Sequence, residues 1–228
     1  IGMTPCGEST GFQPKLVSEL LREGDSLIEI FALEEWIEEN ATGLSGTVAT
    51  PVSVAELERL SLMSTPNKVV AVARKFRSTV LNEVNSQVVL ALDTIQDPGN
   101  FGSIVRIADW YGIKHLACRS ECADLYTPKV VQASMGSLAR VNVFYIPLFV
   151  WLDQLGEKRI YATALEGRDI TTMDPINVGI IVIGNESRGV NESILKISNV
   201  TVTIPKRGKA DSLNAAVATG IVLSHLVG

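Results

Sequence analysis

The stretch Val88-Val89-Leu90-Ala91-Leu92-Asp93-Thr94-Ile95-Gln96-Asp97-Pro98-Gly99-Asn100-Phe101-Gly102-Ser103-Ile104-Val105-Arg106 runs from an unbroken apolar segment through a Pro/Gly turn into a helical pattern. An apolar run without alternation marks a strand buried on both faces, and such strands belong to parallel sheets covered by helices. The turn at Pro98-Gly99 leads into a predicted helix over Phe101–Tyr111, with Asn100 as candidate N-cap and Gly112 as terminator. The same unit recurs downstream. Further strands are predicted at 114–118, 141–146, 159–164, 179–183 and 200–204, and helices at 129–134, 148–155, 191–195 and 213–226. Alternating strands and helices imply an α/β fold with a mainly parallel sheet and helices on both faces.

Upstream, the elements are shorter. Leu16, Val17, Leu20 and Leu21 fall at helical spacing behind Pro14, residues 26–32 read as a strand, and 33–39 as an acidic surface helix. Ser53-Val54-Ala55-Glu56 is a capping box opening a helix to about Leu62, and a β-branched strand follows at 68–73. These elements make a small α/β domain over residues 1–75. Residues 76–87 have linker composition, and the larger domain covers 88–228.

The chain of 228 residues carries a net charge of −5, unevenly placed. Residues 1–87 hold seven Lys/Arg against twelve Asp/Glu, while 88–228 hold thirteen of each. A basic footprint over the whole chain is therefore absent, and only two local clusters stand out: Arg74, Lys75 and Arg77, then Lys206, Arg207 and Lys209. No apolar run approaches the ~20 residues of a membrane span. The first residues do not follow a signal-peptide pattern, so a soluble, cytoplasmic protein is expected. Cys118 and Cys122 lie near His115, but their spacing lacks a second ligand pair. They read with Cys6 as ordinary reduced thiols, and no metal is expected.

Three polar loops follow apolar strands: Asp97–Arg106, Gly184-Asn185-Glu186-Ser187-Arg188-Gly189, and Ile204-Pro205 running on to Ser212-Leu213-Asn214. Loops at one edge of an open parallel sheet build a polar ligand site on a rigid frame. The first opens a helix whose N–H groups favour an anion, and Arg106 has the fork geometry for a phosphate oxygen. A tight turn with Arg106 paired to a surface carboxylate accounts for the same residues. In the second, Gly184 lets a ligand approach the backbone, Gly189 allows a sharp return, and Glu186 is an acceptor for a hydroxyl, an amine or an Arg. Helix capping near Asn191 is the alternative for Glu186. In the third, Ser212 fits an N-cap, and the small residues from Ala215 to Gly220 permit close packing. Gly99-x-x-Gly102 lacks the spacing of a dinucleotide fingerprint and no G-K-[ST] follows, so NAD-dependent and P-loop chemistry lose most of their support.

Asn100-x-Gly102-x-x-x-Arg106, Gly184-Asn185-Glu186-x-x-Gly189, and Ile204-Pro205 with Ser212-Leu213-Asn214 resemble, in order and spacing, the three signature motifs of the SpoU (TrmH) family. These are RNA ribose 2′-O-methyltransferases of the SPOUT superfamily. The segment from Lys129 to Gly136 is also similar to the family, and residues 1–75 resemble its small substrate-binding domain, related in fold to a ribosomal RNA-binding protein. The resemblance implies a deep C-terminal trefoil knot, S-adenosylmethionine as cofactor, and a homodimer in which one subunit completes the other's site. It implies that Gly184, Asn185, Gly189, Ile204 and Leu213 hold the cofactor, with Thr163, Ala164 and Leu165 lining the pocket. Arg106, Asn100, Glu186, Ser212 and Asn214 would be the catalytic set that arranges ribose and phosphate, without a metal. Lys206, Ser187 and Ala215-Ala216 depart from residues common in the family, and Gly7–Gln13 stand where it usually has a strand ending in Glu-Gly.

The two basic clusters would supply the phosphate contacts to RNA. Ribosomal RNA is favoured over transfer RNA, because the extra N-terminal domain resembles the ribosomal-RNA branch. The alternatives are a tRNA 2′-O-methyltransferase and a non-catalytic RNA-binding module that keeps the fold. A nucleotide-binding oxidoreductase is disfavoured by the missing phosphate fingerprint.

Overall fold

The short elements of the first 74 residues close into a sheet of their own. They are β1 (Glu8–Thr10), α1 (Pro14–Glu23), β2 (Leu27–Ala32), α2 (Glu34–Glu39), β3 (Ala49–Pro51), α3 (Val54–Leu60) and β4 (Val69–Arg74). The strand order is β1-β4-β2-β3, with β4 antiparallel to both neighbours and β2 parallel to β3. This computed structural model describes residues 8–10, 14–23, 27–44, 46–60, 68–74, 87–156 and 159–227. The capping box forms as read: the Ser53 N–H and hydroxyl donate to Glu56 Oε2 at 2.8 and 2.7 Å. Its helix is described to Leu60, so the expected end near Leu62 lies outside the described residues.

A six-stranded sheet follows, built from β5 (Val88–Asp93), β6 (His115–Cys118), β7 (Asn142–Tyr145), β8 (Ile160–Asp169), β9 (Gly179–Gly184) and β10 (Val200–Thr203). Its order is β10-β8-β9-β5-β6-β7, and every neighbouring pair is parallel. The helices are α4 (Pro98–Trp110), α5 (Pro128–Ser134), α6 (Leu148–Asp153), α7 (Glu192–Ile197) and α8 (Ala215–Leu226), with single 3₁₀ turns at Ser137–Ala139 and Ile170–Thr172. All of β5 is buried, which is why its sequence shows no alternation. Its side chains nonetheless sort by face. Leu90 and Leu92 join Phe101 and Ile104 of α4, Val130 of α5 and Val222 of α8 in one cluster. Val89 and Ala91 join Leu148 and Leu152 of α6 and Ile194 of α7 in another. Helices thus cover both faces.

The chain moves outward from β5 to β6 and β7, crosses to β8 on the far side, and lays β9 between β8 and β5. That reversal opens a crevice at the carboxyl ends of the central strands, where open α/β sheets bind ligands. Asp93 and Gly184 are register partners there, so the loops after β5 and β9 start side by side. Helix α1 joins the first sheet's elements to the second's. Leu16, Val17 and Leu20 of α1 belong to the same buried cluster as Val131 and Leu138, and Arg140 bonds both Glu19 of α1 and Asp109 of α4.

Sequence reading missed β1, β3 and both 3₁₀ turns. It also stopped β8 at residue 164, whereas the strand continues to Asp169. Over 166–168 all three residues are exposed, so the apolar signal fades while the ladder to β10 goes on.

Candidate functional site

Asp97, not Asn100, caps α4. Its Oδ1 accepts the Asn100 N–H at 2.8 Å, and Pro98 occupies the first helical position, where a missing N–H is harmless. That backbone bond, supported by Lys129 Nζ at 3.2 Å, holds the Asp97 carboxyl below its ordinary pKa although partial burial opposes it. Asn100 is thereby placed in the first turn with its amide free for the other loops. Its Nδ2 donates to Glu186 Oε1, and its Oδ1 accepts from Asn214 Nδ2 at 2.8 Å. Glu186 Oε1 also accepts the Ala215 N–H at 3.0 Å, putting a carboxylate at the positive end of α8. Asn214 Oδ1 takes the next two N–H groups, of Ala216 and Val217. One side chain from each loop therefore joins a single network. Ser212, read as the N-cap of this helix, stands two residues too early, because the chain turns helical only after Asn214.

The second loop closes on itself. Asn185 and Gly189 exchange backbone bonds at 3.1 and 2.8 Å, and Asn185 Oδ1 accepts the N–H groups of Ser187 and Arg188. Asn185 Nδ2 donates to the Thr94 carbonyl at 2.9 Å, tying this loop to the first. Gly189 has φ +69°, the left-handed region its return requires. Gly184 is glycine for another reason: a Cβ there would lie 2.2 Å from the Gly189 carbonyl carbon and from the Val190 nitrogen. The close approach is by the loop's own backbone, not only by a ligand as the sequence suggested.

Below this network lies a cleft of about 990 Å³ between the second and third loops and the end of β8. Val202, Ala218 and Val222 contribute apolar wall, and the segments 163–165, 184–189, 203–208 and 210–213 add to the lining. Leu165 and Leu213, 78% and 44% exposed, are apolar lining residues open to solvent. Apolar walls with a few convergent polar groups suit a nucleoside-sized ligand.

Thr163, Ala164, Leu165, Gly184, Asn185, Gly189, Ile204 and Leu213 all line this cleft, as do Glu186, Ser212, Lys206 and Arg207. Asn100 and Asn214 are joined to it through Glu186 rather than forming its wall. Arg106 is exposed on α4 outside the lining, one turn before Trp110, which is 85% exposed. Lys209 is exposed and outside the lining; Arg74 ends β4, and Lys75 and Arg77 lie outside the described residues. Gly102 does not face a ligand: a Cβ there would meet the Val130 carbonyl at 2.6 Å, so it serves the contact of α4 with α5. Cys118 and Cys122 are buried, and among the described residues no His/Cys/Asp/Glu group is arranged to hold a metal. Burial pushes the Cys118 thiol well above its ordinary pKa. Sequence reasoning passed over Asp93 and Arg119, whose signal was only a charged residue ending an apolar strand and a basic residue in a turn.

The model of the SpoU rRNA Methylase family matches residues 87–224. The chain belongs to that family. The SpoU chain is 32% identical over 143 residues to the 23S rRNA (guanosine(2553)-2′-O)-methyltransferase RlmP of Bacillus subtilis (strain 168), covering 61% of this chain and 58% of that one. It superposes on the SpoU methyltransferase AviRb from Streptomyces viridochromogenes in complex with AdoMet with a TM-score of 0.82 at 26% identity, covering 97% and 89% of the two chains. An AdoMet-bound rRNA methyltransferase from Sinorhizobium meliloti gives a TM-score of 0.82 at 26% identity, covering 96% and 86%. Several curated relatives are matched over only 50% to 62% of their own length.

Proposed function

We propose that this protein transfers a methyl group from S-adenosylmethionine to a ribose 2′-hydroxyl of structured RNA, with ribosomal RNA the favoured substrate. One observation carries the reading. In a SpoU family member, the three loops that bear the family's motifs are joined through Asn100, Glu186 and Asn214, directly beside a cleft of nucleoside dimensions. Relatives named as 23S rRNA 2′-O-methyltransferases favour ribosomal over transfer RNA.

The cleft fits the cofactor by the chemistry of its lining. Thr163, Ala164 and Leu165 would border it on one side, Gly184, Asn185 and Gly189 on another, and Ile204 and Leu213 on a third, offering backbone donors and acceptors against apolar walls. S-adenosylmethionine supplies an electrophilic sulfonium methyl and needs no metal. The protein's own task is to orient the ribose and ease loss of the hydroxyl proton. Glu186, Asn100, Asn214 and Ser212 would arrange the ribose. Arg106, with the fixed fork of N–H donors on its guanidinium, would hold phosphate and stabilise the developing alkoxide. Lys206, Arg207 and Lys209 beside the cleft, with Arg74, Lys75 and Arg77, would contact the RNA backbone.

The fuller reading is a small RNA-reading domain over 1–75, a linker over 76–87 and a catalytic domain over 88–228 with a C-terminal trefoil knot, acting as a cytoplasmic homodimer. The split of the strands into two sheets supports the division. The bond from Ala215 to Glu186, which sets the last helix against the second loop, is consistent with the knot. Exposed Trp110 and Val217 on neighbouring helices α4 and α8 support a dimer face. The experiment is transfer of labelled methyl from S-adenosylmethionine to RNA lacking its own methylation, in wild type and Arg106→Ala. Ribose label that disappears in the variant supports the reading; tight cofactor binding without any label favours the non-catalytic RNA-binding module.

A further inference from the structure

The Asp93 side chain is 2% exposed, yet it is a carboxylate at the carboxyl end of the central strand. Burying a charge is costly unless bonds offset its desolvation, so the partners of Asp93 show what it is kept for. Its Oδ2 accepts the backbone N–H of Asn191 at 2.6 Å, at the end of the second loop. Its Oδ1 accepts from Arg119 Nη1 at 3.1 Å and from the Thr94 hydroxyl at 3.2 Å.

Thr94 is itself unusual. It has φ +65°, a conformation that β-branched residues avoid and that persists only where surroundings enforce it. In that conformation its carbonyl receives the Asn185 amide, a tie between the two loops beside that of Asn100 to Glu186. Arg119 is fixed in turn, since its N–H donates to the Leu92 carbonyl and its Nη2 to Glu121 at 2.8 Å. Asp93 thus bonds both sides of the junction: Thr94, the first residue after β5, and Asn191, which caps α7 after the second loop.

We propose that Asp93, clamped by Arg119, is a positioning residue that fixes the 184–191 loop against the 94–100 loop and so sets the shape of the cofactor cleft and the approach of Glu186 to Asn100. Neither residue lines the cleft. Their effect is transmitted through Asn191 and Thr94. The proposal rests on the S-adenosylmethionine reading only for the ligand used in its second readout.

The test uses the full chain as wild type, Asp93→Ala, Asp93→Asn and Arg119→Ala, with hydrogen exchange and calorimetric titration of S-adenosylmethionine. Loss of a charge-assisted bond predicts about tenfold faster exchange over 184–191 in Asp93→Ala and about tenfold weaker cofactor binding, with strand 27–32 unchanged. Asp93→Asn keeps an acceptor for Asn191 but turns an amide donor toward Arg119, and is expected to recover part of both. Arg119→Ala removes the clamp but keeps the Asp93 bonds to Asn191 and Thr94, and is expected to speed the same exchange about threefold, serving if Asp93→Ala does not fold. Wild-type exchange over 184–191 in Asp93→Ala, or in Arg119→Ala if the former is unfolded, overturns the proposal. Faster exchange in a protein whose wild type binds no S-adenosylmethionine supports the brace and overturns the cofactor reading instead.

Discussion

Replacing Gly184 by alanine tests the account of the second loop, because the sequence and the structure explain this glycine differently. If it only admits a ligand, a methyl group should weaken binding and leave stability alone, or raise it slightly by stiffening the unfolded chain. The structure puts the new Cβ 2.2 Å from backbone atoms of Gly189 and Val190 and 2.5 Å from the Gly189 carbonyl oxygen. Backbone cannot rotate away as a side chain can, so the loop must open. Opening breaks the two bonds between Asn185 and Gly189, at 3.1 and 2.8 Å, each worth about 1 kcal/mol net. Overpacking adds about 1–2 kcal/mol. The total of about 3–4 kcal/mol corresponds to a fall in Tm of about 6–16 °C for a chain of this size. Thermal unfolding followed by circular dichroism reads it, with Gly189→Ala as the comparison. That site has open space around a Cβ but φ +69°, so only backbone strain of about 1–2 kcal/mol is expected. A loss at Gly184 below about 1 kcal/mol, or smaller than that at Gly189, would refute the close-approach argument.

Gly102→Ala should destabilise by about 1–3 kcal/mol, because its Cβ would press on the Val130 carbonyl at 2.6 Å and Ala133 Cβ at 2.7 Å. Urea unfolding measures this, and cofactor affinity should stay unchanged, separating helix packing from ligand contact. Asp97 has a folded pKa below its unfolded value, so its stabilisation is complete above that unfolded value, near 3.8, and is lost as pH falls through the lowered folded value. Asp97→Asn keeps a capping oxygen without the charge. Its stability should fall less than that of wild type between about pH 5 and pH 2 in acid titrations, and parallel curves would remove the assignment.

The sheet and its helices were legible because burial on both faces left continuous apolar runs, as in Val88–Leu92, and because Pro and Gly punctuate the loops between them. The caps were less legible. Asn100 and Ser212 are good capping residues by type, but Asp97 followed by Pro98 and Asn214 followed by two alanines are the positions the backbone uses. Each misreading is a shift of two or three residues, which local preference alone does not resolve. The joining of Asn100 to Glu186 and Asn214 spans 86 and 114 positions. No periodicity encodes such pairings; the motif resemblance gathered these residues, and the fold supplied their contacts. Asp93 stayed hidden because a buried carboxylate at a strand end looks like the first polar residue of a loop. The short strands β1 and β3, three residues each, lack room for a pattern.

Arg106 leaves one question about how the site is assembled. It follows Asn100 by six residues of helix, which is about 9 Å of rise and about 120° of net rotation away. It therefore faces away from the loop that Asn100 addresses, and it is absent from the cleft wall. Trp110, one turn further along α4, and Val217 of α8 are exposed as well. A guanidinium that serves a cleft it does not border must reach the bound RNA from the side or act on the cleft of a second copy. The homodimer reading selects the second. Mixing Arg106→Ala with Glu186→Ala subunits after dissociation and reassembly then restores one intact site in each mixed dimer, since wild-type Arg106 and wild-type Glu186 come from different chains. Random pairing at equal amounts makes half the dimers mixed, so methyl transfer should return to about a quarter of the wild-type rate from two inactive parents. Mixed dimers that form yet stay inactive would place Arg106 in the same chain's site, and the outward face of α4 would then be an RNA contact.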